Sequence, residues 1–336
     1  MSDKVKIFYL GAGHIGIPIL ERLMASDQVE LCGVGSQKKA PKIQQNGAPR
    51  TAISPLAKYC RQRKWAIELY DSVNAPEFRE MLRERGVELL VVVSYGQILK
   101  PELLAATPLG CLNVHASLLP KYRGAAPIVA ALVGGESRTG VSFMKMEAGL
   151  DTGPVYRTVS LDILSSDTAE SLEERLGILA GNAIGQCIYD IARRGLQAVP
   201  QSAEDTVYAR KITKLDCRAD WNEPAVVLER KVRAYYSWPS LQTILPARNG
   251  KPRTVKLVDT VVVPELPAGA RPGDILAFGK DGILIACGEG ALRVRRLVPV
   301  GKREMSAWEY LLGNPLPPEH LAIVPFEDGE NEKNHH

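Results

Sequence analysis

Two polar side chains that could stabilise a developing charge lie two positions apart in an apolar stretch of the chain. Asn113 and His115 fall within CLNVHA, residues 111–116, which has the composition of a β-strand. Because side chains alternate faces along a strand, Asn113 and His115 emerge on one face and Val114 on the other. Such a strand would deliver an amide and an imidazole to the loop that follows, as in many α/β enzymes. An isolated pair of this kind is more often buried and hydrogen-bonded within the core.

The sequence around this pair resembles a known active-site segment. Residues 110–124 read GCLNVHASLLPKYRG, similar to the active-site strand and SLLP loop of the 10-formyltetrahydrofolate-dependent formyltransferases. In that family an asparagine, a histidine and a distant aspartate carry the chemistry. The matching aspartate is Asp151, in AGLDTGPVY, which alone would be an ordinary turn residue. The resemblance implies that Asn113, His115 and Asp151 are catalytic.

The same resemblance implies a reaction and a formyl donor. Formyl transfer from the N10 atom of a folate to an amine passes through a tetrahedral carbon that bears an oxyanion. His115 and Asn113 would donate hydrogen bonds to that oxyanion. Asp151 would orient the histidine and accept the proton that leaves the attacking amine. The donor would be 10-formyltetrahydrofolate, with no metal and no covalent intermediate. The residues expected along the folate are Ser117, Leu118, Leu119 and Pro120, together with Ser94, Tyr95, Gly96 and Gln97.

A glycine-rich motif near the N-terminus suggests a different function, nucleotide binding. Gly11, Gly13 and Gly16 spell G-x-G-x-x-G between an apolar run at 5–10 and a helical pattern, the context of a dinucleotide site. The end of the next predicted strand, 29–34, carries no acid to hold a ribose hydroxyl. We therefore interpret the glycines as close strand–helix packing, and an NAD-dependent oxidoreductase is the less favoured alternative.

Strands and helices alternate through the first part of the chain, which predicts a Rossmann-like catalytic domain with a mostly parallel sheet. The predicted strands are 5–10, 29–34, 66–69, 87–93 and 111–116, with 140–146 and 155–161 flanking the Asp151 loop. The predicted helices are 15–24, 54–64, 75–85, 127–132 and 168–195. Ligands on such sheets bind beyond the carboxyl ends of the strands.

From residue 207 the pattern changes to short strands divided by Gly, Pro and Asp turns, which predicts a small barrel. The segments YARKITKLDCRADW, RAYYSWPS and GKREMSAWEYLLG resemble the C-terminal OB-like domain of family members that act on tRNA. This resemblance implies initiator methionyl-tRNA as the acceptor. The predicted organisation is a catalytic domain at 1–197, a linker at 198–206, an OB-like tRNA-binding domain at 207–313 and a disordered acidic tail at 314–336.

The distribution of charge fits a polyanionic partner. The chain has a net charge of +4, and residues 207–313 hold 18 lysines and arginines against 11 acidic residues. OB folds bind nucleic acid on strand faces and loops, although a solvated basic face would give the same count. The residues expected to contact tRNA are Lys38, Lys39, Lys42 and Arg50 in a polar loop, Arg123 at the mouth of the site, where it could meet folate carboxylate or tRNA phosphate, and Lys211, Lys214, Arg293, Arg295 and Lys302.

Composition places the chain among globular proteins, with 45% hydrophobic and 24% charged residues. No apolar run is long enough to span a membrane, and six cysteines without a C-x-x-C motif indicate neither a zinc cluster nor a disulfide framework. We expect a cytoplasmic enzyme without an obligate protein partner. Another acceptor, such as an amino-sugar nucleotide or another small amine, is the main alternative. A non-catalytic RNA-binding protein would leave the three catalytic candidates unexplained.

Overall fold

The computed structural model describes residues 3–38, 53–317 and 321–326. These residues form two compact units. The first unit extends to Arg210, except for 132–136 and 166–170, which group with the second unit. The domain limits predicted from the sequence, with a linker at 198–206, stay a prediction.

The first unit is built on a seven-stranded sheet in the order β3-β2-β1-β4-β5-β7-β8. Its strands are β1 (Val5–Gly11), β2 (Val29–Gln37), β3 (Glu68–Tyr70), β4 (Leu89–Val93), β5 (Cys111–His115), β7 (Arg138–Lys145) and β8 (Val155–Asp162), and a separate short pair is formed by β6 (Arg123–Gly124) and β9 (Tyr208–Ala209). Strands β1 to β5 are parallel, whereas β7 is antiparallel to both β5 and β8. The mostly parallel sheet predicted from alternation is confirmed.

The described residues of this part of the chain form six helices: α1 (Gly16–Met24), α2 (Pro55–Gln62), α3 (Pro76–Glu84), α4 (Pro101–Leu104), α5 (Pro127–Gly134) and α6 (Ala169–Arg193). Their starts follow the expected chemistry: Ser54 Oγ accepts the Ala57 N–H at 3.1 Å, and proline opens α2, α3 and α4. The five residues of β4, LLVVV, are all buried, as expected for a central strand covered on both faces.

The topology brings the predicted site loops together at one sheet edge. Because β4 and β5 are parallel neighbours, with Leu90 opposite Cys111, their carboxyl ends point the same way. The loop at 94–97 leaves β4 at that edge, and the SLLP loop leaves β5 beside it. The antiparallel strand β7 places Ser142 opposite His115.

The second unit is a curled antiparallel sheet in the order β10-β11-β14-β13-β12, with β15 added to β14. Its elements are a 3₁₀ turn at Lys214–Cys217, α7 (Ala225–Ala234), β10 (Gln242–Leu245), β11 (Arg253–Val263), β12 (Ile275–Gly279), β13 (Gly282–Ala286), β14 (Ala291–Pro299), β15 (Met305–Ser306) and α8 (Ala307–Gly313). The register of β11 against β14 shifts beside Asp259, which bends the sheet. The half-barrel confirms the predicted OB-like architecture.

Candidate active site

The three predicted catalytic side chains meet at the carboxyl end of β5. Asn113 Nδ2 lies 3.3 Å from Asp151 Oδ1, and His115 Nδ1 lies 3.6 Å from Asp151 Oδ2. The side chains of His115 and Asp151 are only 7% and 14% exposed. An amide, an imidazole and a carboxylate therefore share one nearly buried space, although Asp151 comes from the loop between β7 and β8.

The hydrogen bonds of His115 assign different tasks to its two ring nitrogens. Nε2 lies 2.9 Å from the carbonyl oxygen of Tyr122. Because a carbonyl oxygen only accepts, Nε2 must carry the hydrogen in this bond. Nδ1 faces Asp151 at a distance longer than an ordinary hydrogen bond. Nδ1 is thus the ring nitrogen that can act on a bound substrate.

Asp151 is held in an uncommon backbone conformation. Its φ is 51°, in the left-handed region that aspartate tolerates better than most residues. The backbone N–H of Gly124 donates to Oδ2 at 2.9 Å. A side chain at Gly153 would collide with the carbonyl oxygen of Lys145, so this turn requires glycine there. Both the carboxylate and the turn that carries it are fixed by neighbouring backbone.

Gln201 joins the Asp151 turn to Arg123. Its Nε2 donates to the carbonyl oxygens of Asp151 and Gly153 at 2.9 and 2.7 Å. Its Oε1 accepts from Nε and a terminal nitrogen of Arg123 at 3.0 and 2.8 Å. Arg123 is only 8% exposed. The Arg123 guanidinium is therefore buried against Gln201, and its predicted contact with phosphate or carboxylate stays a prediction.

The SLLP loop is tied to β7 by Ser142. The Ser142 hydroxyl donates to the carbonyl oxygen of Ser117 at 2.7 Å and accepts from the backbone N–H of Leu119 at 3.0 Å. Ser117 is fully buried, and its own hydroxyl donates to the carbonyl oxygen of Lys121 at 2.6 Å. The Ser117 side chain therefore shapes the loop, and its predicted folate contact stays a prediction. Leu118, Leu119 and Pro120 are half-buried and stay predicted folate contacts.

The loop after β4 presents backbone more than side chains. Ser94 and Gly96 are exposed and adopt positive φ values of 47° and 80°. The Tyr95 ring is buried in the core, and its carbonyl oxygen accepts from the Gln37 amide. The Gln97 amide donates to the carbonyl oxygen of Asp71 at 3.0 Å. Any ligand contact from Tyr95 would thus use its backbone, and the four residues stay a predicted pterin-binding loop.

The glycine motif of the nucleotide alternative is used internally. Glu173 from α6 accepts the Ile15 N–H at 3.1 Å, at the start of α1 where a dinucleotide phosphate would bind. A Cβ atom at Gly13 would lie 2.5 Å from Ser94 Oγ, and one at Gly16 would lie 2.8 Å from the Tyr9 hydroxyl. The interpretation as close packing is confirmed, and the carboxylate stands against a dinucleotide site.

Cys111 adjoins the site but is not suited to act as a nucleophile. It is 2% exposed, and burial raises the pKa of its thiol to about 12. The thiol is therefore protonated at neutral pH, when a nucleophilic cysteine would need to be a thiolate. The packing role expected from the sequence fits this environment.

The basic residues predicted to contact tRNA are spread over several surfaces. Lys38 is exposed and forms an ion pair with Asp71 at 3.1 Å. Lys39, Lys42 and Arg50 lie outside the described residues. In the second unit, Lys211, Lys214, Arg295 and Lys302 are exposed and Arg293 is half-buried.

Arg293 and Arg295 share one surface cleft of about 510 Å³ with Lys280 and Asp281. We call this the basic cleft. The two arginines lie on the same face of β14, as the period of two predicts. Lys280 was not predicted; it lies in the GKDG turn between β12 and β13, and only the turn sequence could have indicated it. Three cations against one carboxylate give the cleft a positive charge.

Within residues 3–38, 53–317 and 321–326, no group of three or more His, Cys, Asp or Glu side chains could hold a metal ion. In the same part of the chain, no helix combines the length and apolar character needed to cross a bilayer.

Two family profiles match most of the chain. The profile described as formyl transferase matches residues 3–188, and the formyl transferase C-terminal domain matches residues 211–315. The chain therefore belongs to the formyl transferase family, as its site segments predicted.

Curated relatives narrow this assignment. The methionyl-tRNA formyltransferase of Xanthomonas axonopodis pv. citri (strain 306) is 38% identical over 91% of this chain and 97% of its own length. That of Geobacter metallireducens is 36% identical over 94% of this chain and 97% of its own length. Within the family, the chain is thus similar to methionyl-tRNA formyltransferases over more than nine-tenths of its length.

A solved structure supports the fold. The N-formyltransferase from Helicobacter canadensis, solved with folinic acid and dTDP-3-aminofucose, aligns with a TM-score of 0.58 over 86% of this chain and 98% of its own. The two sequences are only 17% identical, so this likeness concerns the fold alone.

Proposed function

We propose that this formyltransferase moves the formyl group of 10-formyltetrahydrofolate to the α-amine of methionine on initiator methionyl-tRNA. The observation that carries the proposal is the meeting of Asn113, His115 and Asp151 at the end of β5, in a chain similar to methionyl-tRNA formyltransferases over nearly its whole length. The reaction would serve translation initiation in the cytoplasm.

The chemistry follows from the orientation of the three side chains. The amine attacks the formyl carbon, and the carbonyl oxygen of the formyl group becomes an oxyanion. The Nδ1–H of a protonated His115 and one amide N–H of Asn113 donate to this oxygen, and donors of this type contribute about a hundred- to a thousandfold in rate each. The tetrahedral carbon collapses when its bond to N10 breaks, which releases the folate.

Asp151 would manage the proton in this reaction. The α-amine of an amino acid is partly protonated at neutral pH, so a base is needed to give the free nucleophile and to remove its second proton. The carboxylate of Asp151 lies beside both oxyanion donors and can accept that proton directly or through water. N10 of the folate gains a proton as it leaves, so transfer from the free amine releases no proton overall, whereas an amine that starts protonated releases one.

The basic cleft supports a nucleic-acid acceptor over a small amine. Lys280, Arg293 and Arg295 present three cations on the second unit, and lysine and arginine contacts to phosphate supply most nonspecific affinity for nucleic acid. A small acceptor would not need this surface. An amino-sugar nucleotide remains the second candidate, since the Helicobacter canadensis structure was solved with dTDP-3-aminofucose.

A direct assay separates the two acceptors. The purified chain is incubated with 10-formyltetrahydrofolate and either charged initiator methionyl-tRNA or a dTDP-linked amino sugar, and labelled formyl groups in each product are counted. We expect transfer to the tRNA-bound methionine only, with uncharged tRNA as the control. Transfer to the sugar and not to the tRNA would overturn the proposed acceptor.

A further inference from the structure

The segment at 199–209, which we call the strap, is hydrogen-bonded at several positions to elements around the candidate active site. Val199 and Val155 exchange two backbone hydrogen bonds of 2.8 and 2.9 Å. Further on, the carbonyl oxygen of Val207 accepts from the backbone N–H of Arg123 at 2.9 Å. Gln201 lies between these two anchors. The strap therefore spans from β8 to β6, on either side of the Asp151 turn.

We propose that Gln201 is a positioning residue that holds Asp151 in its reactive orientation. This inference rests on the proposed reaction but concerns a residue that does not touch the reacting atoms. The Gln201 amide donates to the carbonyl oxygens of Asp151 and Gly153, and its oxygen accepts two bonds from Arg123. A glutamine side chain has two N–H donors and two acceptor lone pairs, so all four are used here.

The hydrogen bonds act on the backbone of a residue whose conformation needs support. Asp151 has a φ of 51°, and a non-glycine residue in this region persists when its surroundings fix it. The bond to its carbonyl oxygen fixes the peptide plane that follows Asp151. The bond from the Gly124 N–H fixes its carboxylate. Loss of the Gln201 bond would let the Asp151 carboxylate move away from His115 without removing any group that contacts substrate.

The strap also supports the hydrogen bond from the Gly124 N–H to the Asp151 carboxylate. The strands β6 and β9 pair in parallel, with Gly124 opposite Ala209. Gly124 has a φ of 116°, and a Cβ atom there would lie 2.6 Å from the carbonyl oxygen of Ala209. Only glycine allows this approach, which aims the Gly124 N–H at Asp151. The strap thus supports both the Gln201 bond to the Asp151 backbone and the Gly124 bond to the Asp151 carboxylate.

The first test compares Gln201→Met with Gln197→Met in the full-length protein. Methionine keeps the length of the side chain and removes its hydrogen bonds. Gln197 is an exposed glutamine in the same region whose amide donates to the nearby carbonyl oxygen of Gly195, so it is a matched control. We expect Gln201→Met to lower kcat about 10- to 100-fold, because misplacement by about 1 Å can cost a hundredfold.

The pattern of kinetic constants distinguishes positioning from other roles. KM for folate and tRNA should change less than about threefold in Gln201→Met, and Gln197→Met should match the wild type. Gln201→Glu keeps an oxygen that can accept from Arg123, but it places a second carboxylate oxygen against the carbonyl oxygens of Asp151 and Gly153. Because these oxygens repel each other, kcat of Gln201→Glu should fall at least as much as that of Gln201→Met. An unchanged kcat, or a raised KM for tRNA with normal kcat, would overturn the inference.

A spectroscopic readout removes the dependence on activity and on the proposed substrate. In protein labelled with nitrogen-15 histidine, the His115 ring signals are assigned by their loss in His115→Ala. We expect Gln201→Met and Asp151→Asn to shift these signals, and Gln197→Met to leave them in place. Unshifted signals in a folded Gln201→Met protein would contradict the inference. If the wild type failed to transfer formyl groups while these shifts occurred, the proposed function alone would fail.

Should Gln201→Met not fold, Arg123→Lys provides the same test. Lysine keeps the charge but cannot make both bonds to Gln201 Oε1 at once. We expect an intermediate loss, of about 3- to 30-fold in kcat, and a smaller shift of the His115 signals. Wild-type kcat and unshifted signals in this variant would count against the inference.

Discussion

Charged groups are held in opposite ways in the candidate catalytic cluster, formed by Asn113, His115 and Asp151, and in the basic cleft. Asp151 is 14% exposed, accepts hydrogen bonds on its carboxylate from Gly124 and Asn113, and is bonded through its backbone to Gln201. In the basic cleft, Arg295 is exposed on the surface of β14 and Arg293 is half-buried. One site is fixed before a substrate arrives; the other offers charges that can adjust to a flexible polyanion.

This difference predicts two kinds of response to perturbation. A buried, prearranged cluster acts as a unit and is little screened by salt. Exposed cations contribute separately and weaken as salt rises, because binding releases counterions from the nucleic acid. Substitutions in the first site should therefore affect kcat, and those in the second should affect KM for tRNA.

The largest effects are expected from the oxyanion donors. Asn113→Ala and His115→Ala should each lower kcat for formyl transfer by about a hundred- to a thousandfold, while circular dichroism and thermal unfolding stay near those of the wild type. The double variant should lose less than the product of the two single losses, because residues that act as a unit are not additive. A kcat within a factor of three of the wild type in either single variant would remove that residue from the chemistry.

A finer test separates the two nitrogens of His115. In His115→Asn the new amide nitrogen can occupy the position of the histidine Nδ1. In His115→Gln it can reach the position of the histidine Nε2. Since Nε2 is engaged by Tyr122, His115→Asn should retain about tenfold more activity than His115→Gln. The opposite order in single-turnover assays would mean that Nε2 acts on the substrate.

Smaller effects are expected in the basic cleft. Lys280→Ala, Arg293→Ala and Arg295→Ala should each raise KM for tRNA about two- to tenfold, leave kcat unchanged and reduce the slope of log affinity against log salt by about one. Arg248, exposed in the same unit and outside the cleft lining, gives the control Arg248→Ala. An equal rise in KM for tRNA in Arg248→Ala, or an unchanged salt slope in the cleft variants, would show that the basic cleft does not bind tRNA phosphate.

The smallest effect on activity is expected at Asp190, a charge that belongs to neither region. Hydrogen bonds from Arg157 and Gln186 lower the pKa of this carboxyl, against the effect of burial. The stabilisation by ionised Asp190 is thus fully present above the pKa of this carboxyl in the unfolded chain, near 3.9. It is lost as pH falls through the lower pKa of the folded protein.

Asp190→Asn should lower the free energy of unfolding by about 1–3 kcal/mol at pH 7 and leave kcat unchanged. Urea titrations should show the difference narrowing below about pH 4. The control Asp162→Asn, at an exposed pair with Arg138, should change stability by less than about 0.5 kcal/mol. A difference that persisted undiminished in acid would contradict the ionic origin of the effect.

The sequence predicted the parts of the molecule that depend on local patterns. The run LLVVV predicted a central strand, and alternation along β5 placed Asn113 and His115 on one face. Residues that act across long sequence separations were missed. Gln201 bonds to a turn 50 residues away, and Glu173 caps a helix 158 residues away. Nothing in their immediate sequence indicates these partners, since tertiary packing brings them together.

The burial of Arg123 and Ser117 was missed for the same reason. Arg123 and Ser117 lie in a polar, Gly-closed segment, which is typical of a surface loop. In the structure, pairing of β6 with β9 and the hydrogen bonds of Ser142 draw this segment inward. The one signal that could have indicated Ser142 is a serine within the apolar strand VSFM. Sequence resemblance grouped Asn113, His115 and Asp151 into one candidate site, but it did not reveal that Ser117 and Ser142 support the loop.

The single-turnover rate of Asp151→Asn shows whether Asp151 accepts the proton of the attacking amine. Asparagine keeps the shape of the side chain and its place beside Asn113 and His115, but it cannot accept the amine proton. With saturating folate and charged initiator tRNA, we expect a rate at least a hundredfold below the wild type, and a wild-type rate for Asp205→Asn, an exposed aspartate of the strap. An Asp151→Asn rate equal to that of the wild type would contradict this account.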